Sequence, residues 1–311
     1  MTDRTTTELA VSARKVAFAY GEREALRGVD FEVPRGSVHG FLGPNGSGKS
    51  TLFKILATIL PLTRGEVSIL GLDLRSEAAA LRRKIGVVFQ SPALDKKLSI
   101  RRNLTYGGKM FGLSGADLTR RVDQMLDYAN LADRANDNVG ELSGGLRRRV
   151  ELAKGMLHEP ELLLLDEPST GLDPGARDDL WEFLSRREGL TVLFTTHLMD
   201  EAERASHLTI LHQGEVVGEG SPAELRASVG GEVLELGCAE PQRVADELRR
   251  EHGVDATVLE GVVRVESQDA HALAPVLMKT HAAEVDTITL RRPSLEDVFL
   301  GRTGRRLTED S

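Results

Sequence analysis

The pattern of hydrophobic and polar positions changes its period several times along the chain. Alternating apolar and polar residues predict strands at 14–20 and 26–33, and continuous apolar runs predict buried strands at 38–42, 162–165 and 191–195. Helical spacing of apolar residues predicts helices between these strands and an all-helical segment near 99–157. Because strands alternate with helices, we expect an α/β fold with a mostly parallel sheet covered on both faces.

A different order of elements follows Gly230 and Gly231. Over 232–290 the pattern predicts a strand, a helix, two strands about Gly261, a helix and a final strand. This βαββαβ order is typical of a small ferredoxin-like α+β domain. The sequence therefore predicts two domains, 10–229 and 231–311, with a helical subdomain at 99–157 in the first.

The net charge and the single cysteine limit which functions and cellular environments are compatible with the chain. The 311 residues carry a net charge of −8 and one cysteine, Cys238. Proteins that bind nucleic acid are more often basic, so we expect no nucleic-acid partner. A single cysteine permits no internal disulfide, which fits a reducing cytosol. No run of 18 apolar residues is present, so any transport role requires a separate membrane partner.

The segment Gly43-Pro44-Asn45-Gly46-Ser47-Gly48-Lys49-Ser50, followed by Thr51, fits the phosphate-loop pattern. It lies between a predicted strand and a predicted helix, where backbone N–H groups and the helix dipole favour an anion. We expect Lys49 to contact the β- and γ-phosphates of a nucleotide and Ser50 to bind Mg²⁺. The alternative is an ordinary glycine-rich turn with a capping serine.

Two adjacent carboxylates, Asp166 and Glu167, end the apolar run at 162–165. Ligands of open α/β sheets bind at the carboxyl ends of strands. Asp166 is therefore a candidate ligand of Mg²⁺, and Glu167 is a candidate general base for an attacking water. The alternative is a solvated acidic turn.

A second glycine-bearing motif, Leu142-Ser143-Gly144-Gly145-Leu146, resembles the signature motif of ABC ATPases. In that family this helix start contacts the γ-phosphate held by the opposite subunit. The resemblance covers about residues 10–225. It implies a mixed-sheet ABC ATPase domain whose homodimer binds ATP and Mg²⁺ between its two copies.

Four further positions match functional residues of that family. The resemblance implies that Tyr20 stacks on adenine and that Gln90 binds Mg²⁺ and senses a permease. It also implies that Asp173 ends a loop crossing the dimer interface, and that His197 contacts the γ-phosphate. Tyr20 as a plain core aromatic and His197 as a simple strand-end histidine are the alternatives.

Two departures and several shared segments indicate a subfamily. Leu146 stands where the family usually has glutamine, and Gly171 stands where alanine is common. The arginines at 147–149 and the segments 90–95 and 292–300 resemble ATPase subunits of drug-resistance, daunorubicin-type exporters. Such subunits pair with a separately encoded integral membrane permease, so the resemblance implies a peripheral protein at the cytoplasmic face of the cell membrane.

Other functions remain as alternatives at this point. Related subunits move sodium ions, lipids or polysaccharides instead of drugs. A soluble ABC protein for translation or DNA repair, a non-catalytic nucleotide-binding regulator and an unrelated phosphate-loop kinase are further hypotheses. For the arginines at 147–149, we expect a solvated or phosphate-facing helix surface rather than a nucleic-acid patch.

Overall fold

The computed structural model describes residues 8–259, 261–280 and 284–307. The chain divides into two compact units between Glu219 and Gly220, and each has its own hydrophobic core. The domain limits 10–229 and 231–311 stay a prediction, and the predicted helix end at His281 lies outside the described residues. Of the helices in the described ranges, none has the length and apolar character needed to cross a membrane.

The described strands up to Gly220 form two sheets. In chain order they are β1 (Leu9–Tyr20), β2 (Arg23–Pro34), β3 (Val38–Leu42), β4 (Arg64–Ile69), β5 (Leu72–Asp73), β6 (Ile85–Val88), β7 (Leu162–Asp166), β8 (Thr191–Thr196), β9 (His207–His212) and β10 (Glu215–Gly220). The first sheet has the order β2-β1-β4-β5 and is antiparallel. The second has the order β10-β9-β3-β8-β7-β6, and its strands from β9 to β6 are parallel.

This architecture confirms the predicted α/β fold with a mixed sheet core. The strands β3, β7 and β8 are mostly apolar and are buried almost throughout, because helices or the other sheet cover both of their faces. Strand β10, which follows the tight turn at Gln213 and Gly214, was not predicted from the sequence.

The helices of the first unit are α1 (Lys49–Leu56), α2 (Ala78–Leu81), α3 (Ile100–Met110), α4 (Gly115–Tyr128), α5 (Gly144–Gly155), α6 (Pro174–Ser185) and α7 (Met199–Ala202). Helices α3, α4 and α5 pack together and form the predicted helical subdomain. The predicted apolar stripe of α4 and its C-terminal end is buried: Leu118, Val122, Met125, Leu126 and Ala129.

Aromatic packing fixes α1 against the two sheets. Phe31 of β2 meets Phe41 of β3 edge to face at a centroid distance of 4.9 Å, and Phe41 meets Phe53 of α1 at 5.5 Å. All three rings are buried in one core cluster. This packing fixes the position of α1 relative to the sheets, and with it both ends of the loop between β3 and α1.

The registers of the parallel strands bring their carboxyl ends side by side. Leu42 of β3 pairs with Thr196 of β8, and Asp166 of β7 pairs with Thr195. On the other side of β7, Leu165 pairs with Val88 of β6. The loops that follow these strands therefore open at one edge of the sheet, where open α/β sheets bind ligands.

The second unit contains α8 (Pro222–Ala227), β11 (Glu232–Cys238), α9 (Pro241–His252), β12 (Ala256–Leu259), β13 (Val262–Ser267), α10 (Ala270–Thr280), β14 (Val285–Arg291) and α11 (Leu295–Thr303). Its sheet is antiparallel with the order β12-β13-β11-β14. The βαββαβ order from β11 to β14 confirms the predicted α+β architecture. Helix α11 was not predicted, although the capping box of Ser294 and Asp297 at its start is a signal in the sequence.

Candidate active site

The phosphate loop connects β3 to α1, and its backbone leaves little room for side chains. Gly46 and Gly48 have positive φ angles of 80° and 105°, which favour glycine. A Cβ atom on Gly43 would lie 2.2 Å from the carbonyl oxygen of Leu211 and 2.7 Å from Oγ of Ser47. The loop is therefore folded tightly against the end of β9, and the glycine pattern has a steric cause.

Lys49 lies inside this loop. Its Nζ donates hydrogen bonds to the carbonyl oxygens of Gly43 at 2.6 Å and Pro44 at 2.8 Å. Burial lowers the pKa of Lys49 to about 8, while the nearby carboxylates of Glu167 and Asp166 act in the opposite direction. Two neutral carbonyl oxygens of its own loop thus hold the ammonium group, and an anionic ligand would bind it more strongly.

Asp166 lies beside the first turn of α1. Its Oδ1 accepts hydrogen bonds from Oγ of Ser50 at 3.2 Å and from Oγ1 of Thr195 at 2.6 Å. Thr195 in turn accepts a hydrogen bond of 2.9 Å from the backbone N–H of Glu167. Sequence reasoning missed Thr195, whose one signal was its place at the end of a predicted strand; its pairing with Asp166 is visible only in the structure.

Glu167 is the centre of a second cluster. Its Oε2 accepts hydrogen bonds from Nε2 of Gln90 at 3.0 Å and Oγ1 of Thr170 at 3.1 Å. Nδ1 of His197 lies 3.5 Å from its Oε1. Glu167 has a φ angle of 47°, which is a left-handed backbone conformation that residues other than glycine rarely adopt. Backbone strain of this kind is concentrated at functional sites, where surrounding contacts hold it in place.

Hydrogen bonds of Thr196 fix the segment around His197. Thr196 donates a hydrogen bond of 2.5 Å to Oε2 of the buried Glu201 and accepts one of 2.9 Å from the N–H of Leu198. Burial raises the pKa of Glu201, while hydrogen bonds from Ser169 and Thr196 oppose that rise. These contacts fix both peptides that flank His197.

A groove of about 640 Å³ opens above the phosphate loop. Tyr20 stands at its wall with 47% of its surface exposed, and its ring meets Phe18 edge to face at 5.0 Å. Six residues that sequence reasoning did not select also line the groove: Glu22, Arg23, Glu24, Ala25, Arg27 and Gln213. The other predicted residues that line it are Asn45, Gly46, Gly48, Lys49, Ser50, Thr51 and Glu167.

The signature residues Ser143, Gly144 and Gly145 do not line this groove. Ser143 caps α5 by accepting a hydrogen bond of 3.3 Å from the N–H of Leu146, and both Ser143 and Gly144 are exposed. Asp173 similarly caps α6, with Oδ1 accepting from the N–H of Ala176 at 3.0 Å. Within one chain, these predicted site residues therefore lie apart from the phosphate loop groove.

The arginines that follow the signature differ from one another. The expectation of a solvated or phosphate-facing surface is wrong for Arg148, whose side chain is 7% exposed. Arg149 pairs with Asp179 of α6 at the surface. Periodicity did not distinguish the buried arginine from its neighbours because the three are consecutive and chemically identical.

Comparison with known proteins places these motifs in a family. Residues 26–170 match the family described as ABC transporter, and residues 220–303 match the C-terminal domain of DrrA1-3-like ATP-binding proteins. Daunorubicin resistance ATP-binding protein DrrA2 of Streptomyces coeruleorubidus is 38% identical, covering 96% of this chain and 96% of that protein. Nod factor export ATP-binding protein I of Paraburkholderia xenovorans (strain LB400) is also 38% identical, covering 97% and 99%.

A solved structure shows the same fold in the first unit. The ATP-binding cassette MJ0796, in a dimeric post-hydrolysis state bound to ADP and Pi, is 30% identical with a TM-score of 0.62. The likeness covers 68% of this chain and 98% of that one. The chain is 38% identical to DrrA2 over nearly its whole length, and it therefore belongs to the ABC transporter family. It is an ATP-binding and ATP-hydrolysing subunit of the kind that dimerises and works with a membrane permease.

Proposed function

We propose that this chain powers the export of drugs or other hydrophobic compounds through a separately encoded integral membrane permease. Support comes from the relative named for daunorubicin resistance and from the match of the second unit to the DrrA-like C-terminal domain. The equal identity to a Nod factor export protein makes another cargo the alternative. Sodium ions, lipids and polysaccharides belong to the same alternative.

The hydrolytic role rests on one observation: Glu167 enters the phosphate-loop groove while Gln90 and Thr170 hold its carboxylate. In our proposal, Glu167 accepts the proton of the water that attacks the γ-phosphorus, and ADP leaves with the bridging oxygen. Lys49 exchanges its two loop carbonyls for the β- and γ-phosphate oxygens. His197 contacts the γ-phosphate, and Tyr20 stacks on the adenine.

The donor set beside the loop fits Mg²⁺. Among the residues that the structure describes, no group of three or more His, Cys, Asp or Glu side chains is placed to hold a metal. Mg²⁺ is commonly bound by one or two carboxylates together with substrate phosphates and waters, so a single carboxylate suffices. We assign Ser50 and Asp166, whose oxygens already lie 3.2 Å apart, and Gln90 to this ion. When bound, it would neutralise phosphate charge.

The separation of the signature from the groove supports a homodimer. Ser143, Gly144 and Gly145 present an exposed helix start, which is a favourable place for an anion. A second copy can bring this surface to the γ-phosphate held by the first, with Asp173 in the loop that crosses between them. The solved cassette with 30% identity is itself dimeric.

A second groove supports docking on the permease. It measures about 580 Å³ and is mostly apolar, with Phe89, Ala93 and Met110 among its lining residues. Phe111 stacks on His158 in the same groove at a centroid distance of 3.7 Å. Because the groove lies beside the segment that follows Gln90, an apolar cytoplasmic segment of the permease bound here would act on the hydrolytic cluster.

This docking would place the chain at the cytoplasmic face of the cell membrane as a peripheral protein. A nucleic-acid partner does not fit the proposal because the net charge is −8. The C-terminal unit is assigned no separate role in it.

Affinity purification from detergent-solubilised membranes tests the proposal. We expect a polytopic membrane protein to copurify with the tagged chain, and daunorubicin-like compounds to stimulate the ATPase rate of the pair. Met110→Asp, at a residue 83% exposed in the second groove, should lower recovery of that protein. Met278→Asp, 63% exposed in the second unit, is the matched control. Recovery of ribosomes or DNA in place of a membrane protein would contradict the proposal.

A further inference from the structure

Arg148 of α5 binds the backbone of the two loops that carry Gln90 and Glu167. Its Nε donates to the carbonyl oxygen of Pro168 at 2.7 Å and its Nη1 to that of Phe89 at 2.9 Å. Its Nη2 lies 3.4 Å from the carbonyl oxygen of Glu167. One guanidinium group therefore cross-links the chain just before Gln90 to the chain at Glu167.

The strand registers explain why one side chain reaches both loops. Val88 of β6 pairs with Leu165 of β7, so the two strands end side by side and their loops start together. Arg148 lies across this junction from α5. A planar guanidinium with five N–H donors can serve several carbonyl groups at once, whereas the compact ammonium of a lysine cannot reproduce that geometry.

Glu151, one helical turn later, compensates the buried charge of Arg148. Its Oε2 lies 2.9 Å from Nη1 of Arg148, and both side chains are 7% exposed. Its Oε1 accepts a hydrogen bond of 3.0 Å from the N–H of Ala93, and Nζ of Lys154 donates one of 2.6 Å to the carbonyl of Ala93. Helix α5 thus also holds the segment that follows Gln90.

The arrangement is poorly explained by stability alone. A buried ion pair often contributes little net stability compared with well-packed apolar side chains, because desolvation of the two charges offsets their attraction. Here the donors of Arg148 are directed at backbone oxygens on both sides of the Gln90–Glu167 hydrogen bond. The contacts fix the positions of loops more than they fill a core.

We propose that Arg148 is a positioning residue that holds Gln90 and Glu167 in hydrolytic geometry and ties them to the signature helix α5. The proposal rests on the proposed role of Glu167 in hydrolysis. Helix α5 carries Ser143 at its start, so its contact with a second copy's nucleotide is joined through Arg148 to the hydrolytic carboxylate of its own chain. The two nucleotide sites of a dimer are thereby connected by one buried side chain on each copy.

Kinetics of Arg148→Lys test this inference in the full chain. A displacement of the reacting groups by about 1 Å can cost about 100-fold in rate, so we expect kcat to fall about 10- to 100-fold. The KM for ATP should change by less than about threefold, because the phosphate loop keeps its own contacts. In Arg148→Ala, low millimolar guanidinium chloride should restore part of kcat by occupying the vacated position.

Arg121→Lys is the matched control for loss of a buried arginine. Arg121 is also buried, donates to the carbonyl of Leu157 at 3.2 Å and pairs with Glu159 at 2.9 Å, but it contacts neither loop. This variant should lose thermal stability to a similar extent and keep kcat. Equal kcat in Arg148→Lys and Arg121→Lys, or no recovery of Arg148→Ala with guanidinium, would overturn the inference.

A parallel assay of Glu167→Gln separates the two possible failures. Full turnover in that variant removes Glu167 from its proposed role, and the Arg148 inference falls with it. Lost turnover in Glu167→Gln together with unchanged kcat in Arg148→Lys overturns the Arg148 inference alone.

Discussion

Gln90 donates a hydrogen bond of 3.0 Å from its Nε2 to Oε2 of Glu167, and this contact joins the loops that follow β6 and β7. Thr170 provides a second donor to the same oxygen at 3.1 Å. A shift of Gln90 toward a metal ion or toward a docked permease would therefore remove one of two restraints on the proposed base. In our proposal, this hydrogen bond connects the second groove, where we place the permease, to the hydrolytic carboxylate.

Replacing Glu167 by Gln should separate nucleotide binding from hydrolysis. The amide keeps the size of the side chain but cannot accept a proton, so we expect turnover to fall about 10²- to 10⁴-fold. ATP binding should persist, because Lys49 and the loop amides are untouched. Steady-state ATPase rates and size-exclusion chromatography with ATP measure the two effects, and the variant should elute as a trapped dimer.

The matched control for that experiment is Lys49→Ala, which should lose both binding and dimer formation. Charge-assisted hydrogen bonds of the kind Lys49 would make to phosphate contribute about 1.5–3 kcal/mol. A Glu167→Gln protein that hydrolyses ATP at the normal rate would show that another group accepts the proton.

Gly43→Ala should disrupt the phosphate loop through steric contact alone. The added Cβ would lie 2.2 Å from the backbone oxygen of Leu211, and backbone atoms of a paired strand cannot move aside at small cost. We expect ATP affinity to fall at least tenfold, measured by titration calorimetry. Gly301→Ala in α11, where no atom lies within 4 Å of the new Cβ, should instead stabilise the chain by about 0.4–1 kcal/mol. Unchanged affinity in Gly43→Ala would mean that the loop adopts another conformation when it binds nucleotide.

The parts of this site that could be predicted are those formed by residues adjacent in the sequence. The phosphate loop and the pair Asp166 and Glu167 depend on short motifs at the ends of apolar runs, and local sequence contains both signals. The contacts of Thr195 and Arg148 depend instead on which strands become neighbours and in which register. Periodicity identifies strands and helices but does not specify that pairing.

The C-terminal unit shows the same limit. Its βαββαβ order was predictable from alternating patterns, whereas the function of the charged residues in 292–300 was not evident. The structure explains Asp297 as a member of the capping box of α11, whose N-cap is Ser294, and as a partner of two arginines on β13 and β14. Those partners are 33 and 6 residues away, and only the folded sheet brings them together.

The affinity for ATP should fall as the pH rises above about 8. Burial lowers the pKa of Lys49 to about 8, so above this pH the free protein increasingly has a neutral Lys49. Bound phosphates favour the ammonium form and raise the pKa of Lys49, so binding must take up a proton. Calorimetric titrations at pH 8.5 in buffers of different ionisation enthalpy measure that uptake. At pH 7, where Lys49 is already mostly charged, we expect much less uptake, and equal uptake at both pH values would contradict the assignment.

Asp297→Asn should destabilise the second unit strongly. The carboxylate is 1% exposed and lies 2.6 Å from Arg264 and 2.5 Å from Arg291, while Ser294 donates its backbone N–H at 2.6 Å. Loss of the negative charge removes the most buried partner of the two arginines, which keep Glu235 and, for Arg264, Glu266. Breaking a buried pair costs about 3–5 kcal/mol when a charge is left uncompensated, so we expect a loss near the lower end of that range. Hydrogen exchange of the amides in β11 and β13 measures the loss in this unit. The only tryptophan, Trp181, reports separately on the first.

The pH dependence of that destabilisation distinguishes an electrostatic cause from a packing cause. Burial alone would raise the pKa of Asp297, but hydrogen bonds from Arg291, Ser294 and Arg264 hold it well below the ordinary value of 3.8. A carboxylate with a lowered pKa stabilises the fold fully above pH 3.8 and loses that contribution as the pH falls further. The difference between the wild type and Asp297→Asn should therefore be constant near neutral pH and shrink below pH 3.8. Asp246→Asn, which removes an exposed partner of Arg249 in the same unit, should cost at most about 1 kcal/mol. Equal losses in the two variants would assign the effect of Asp297 to something other than its buried charge.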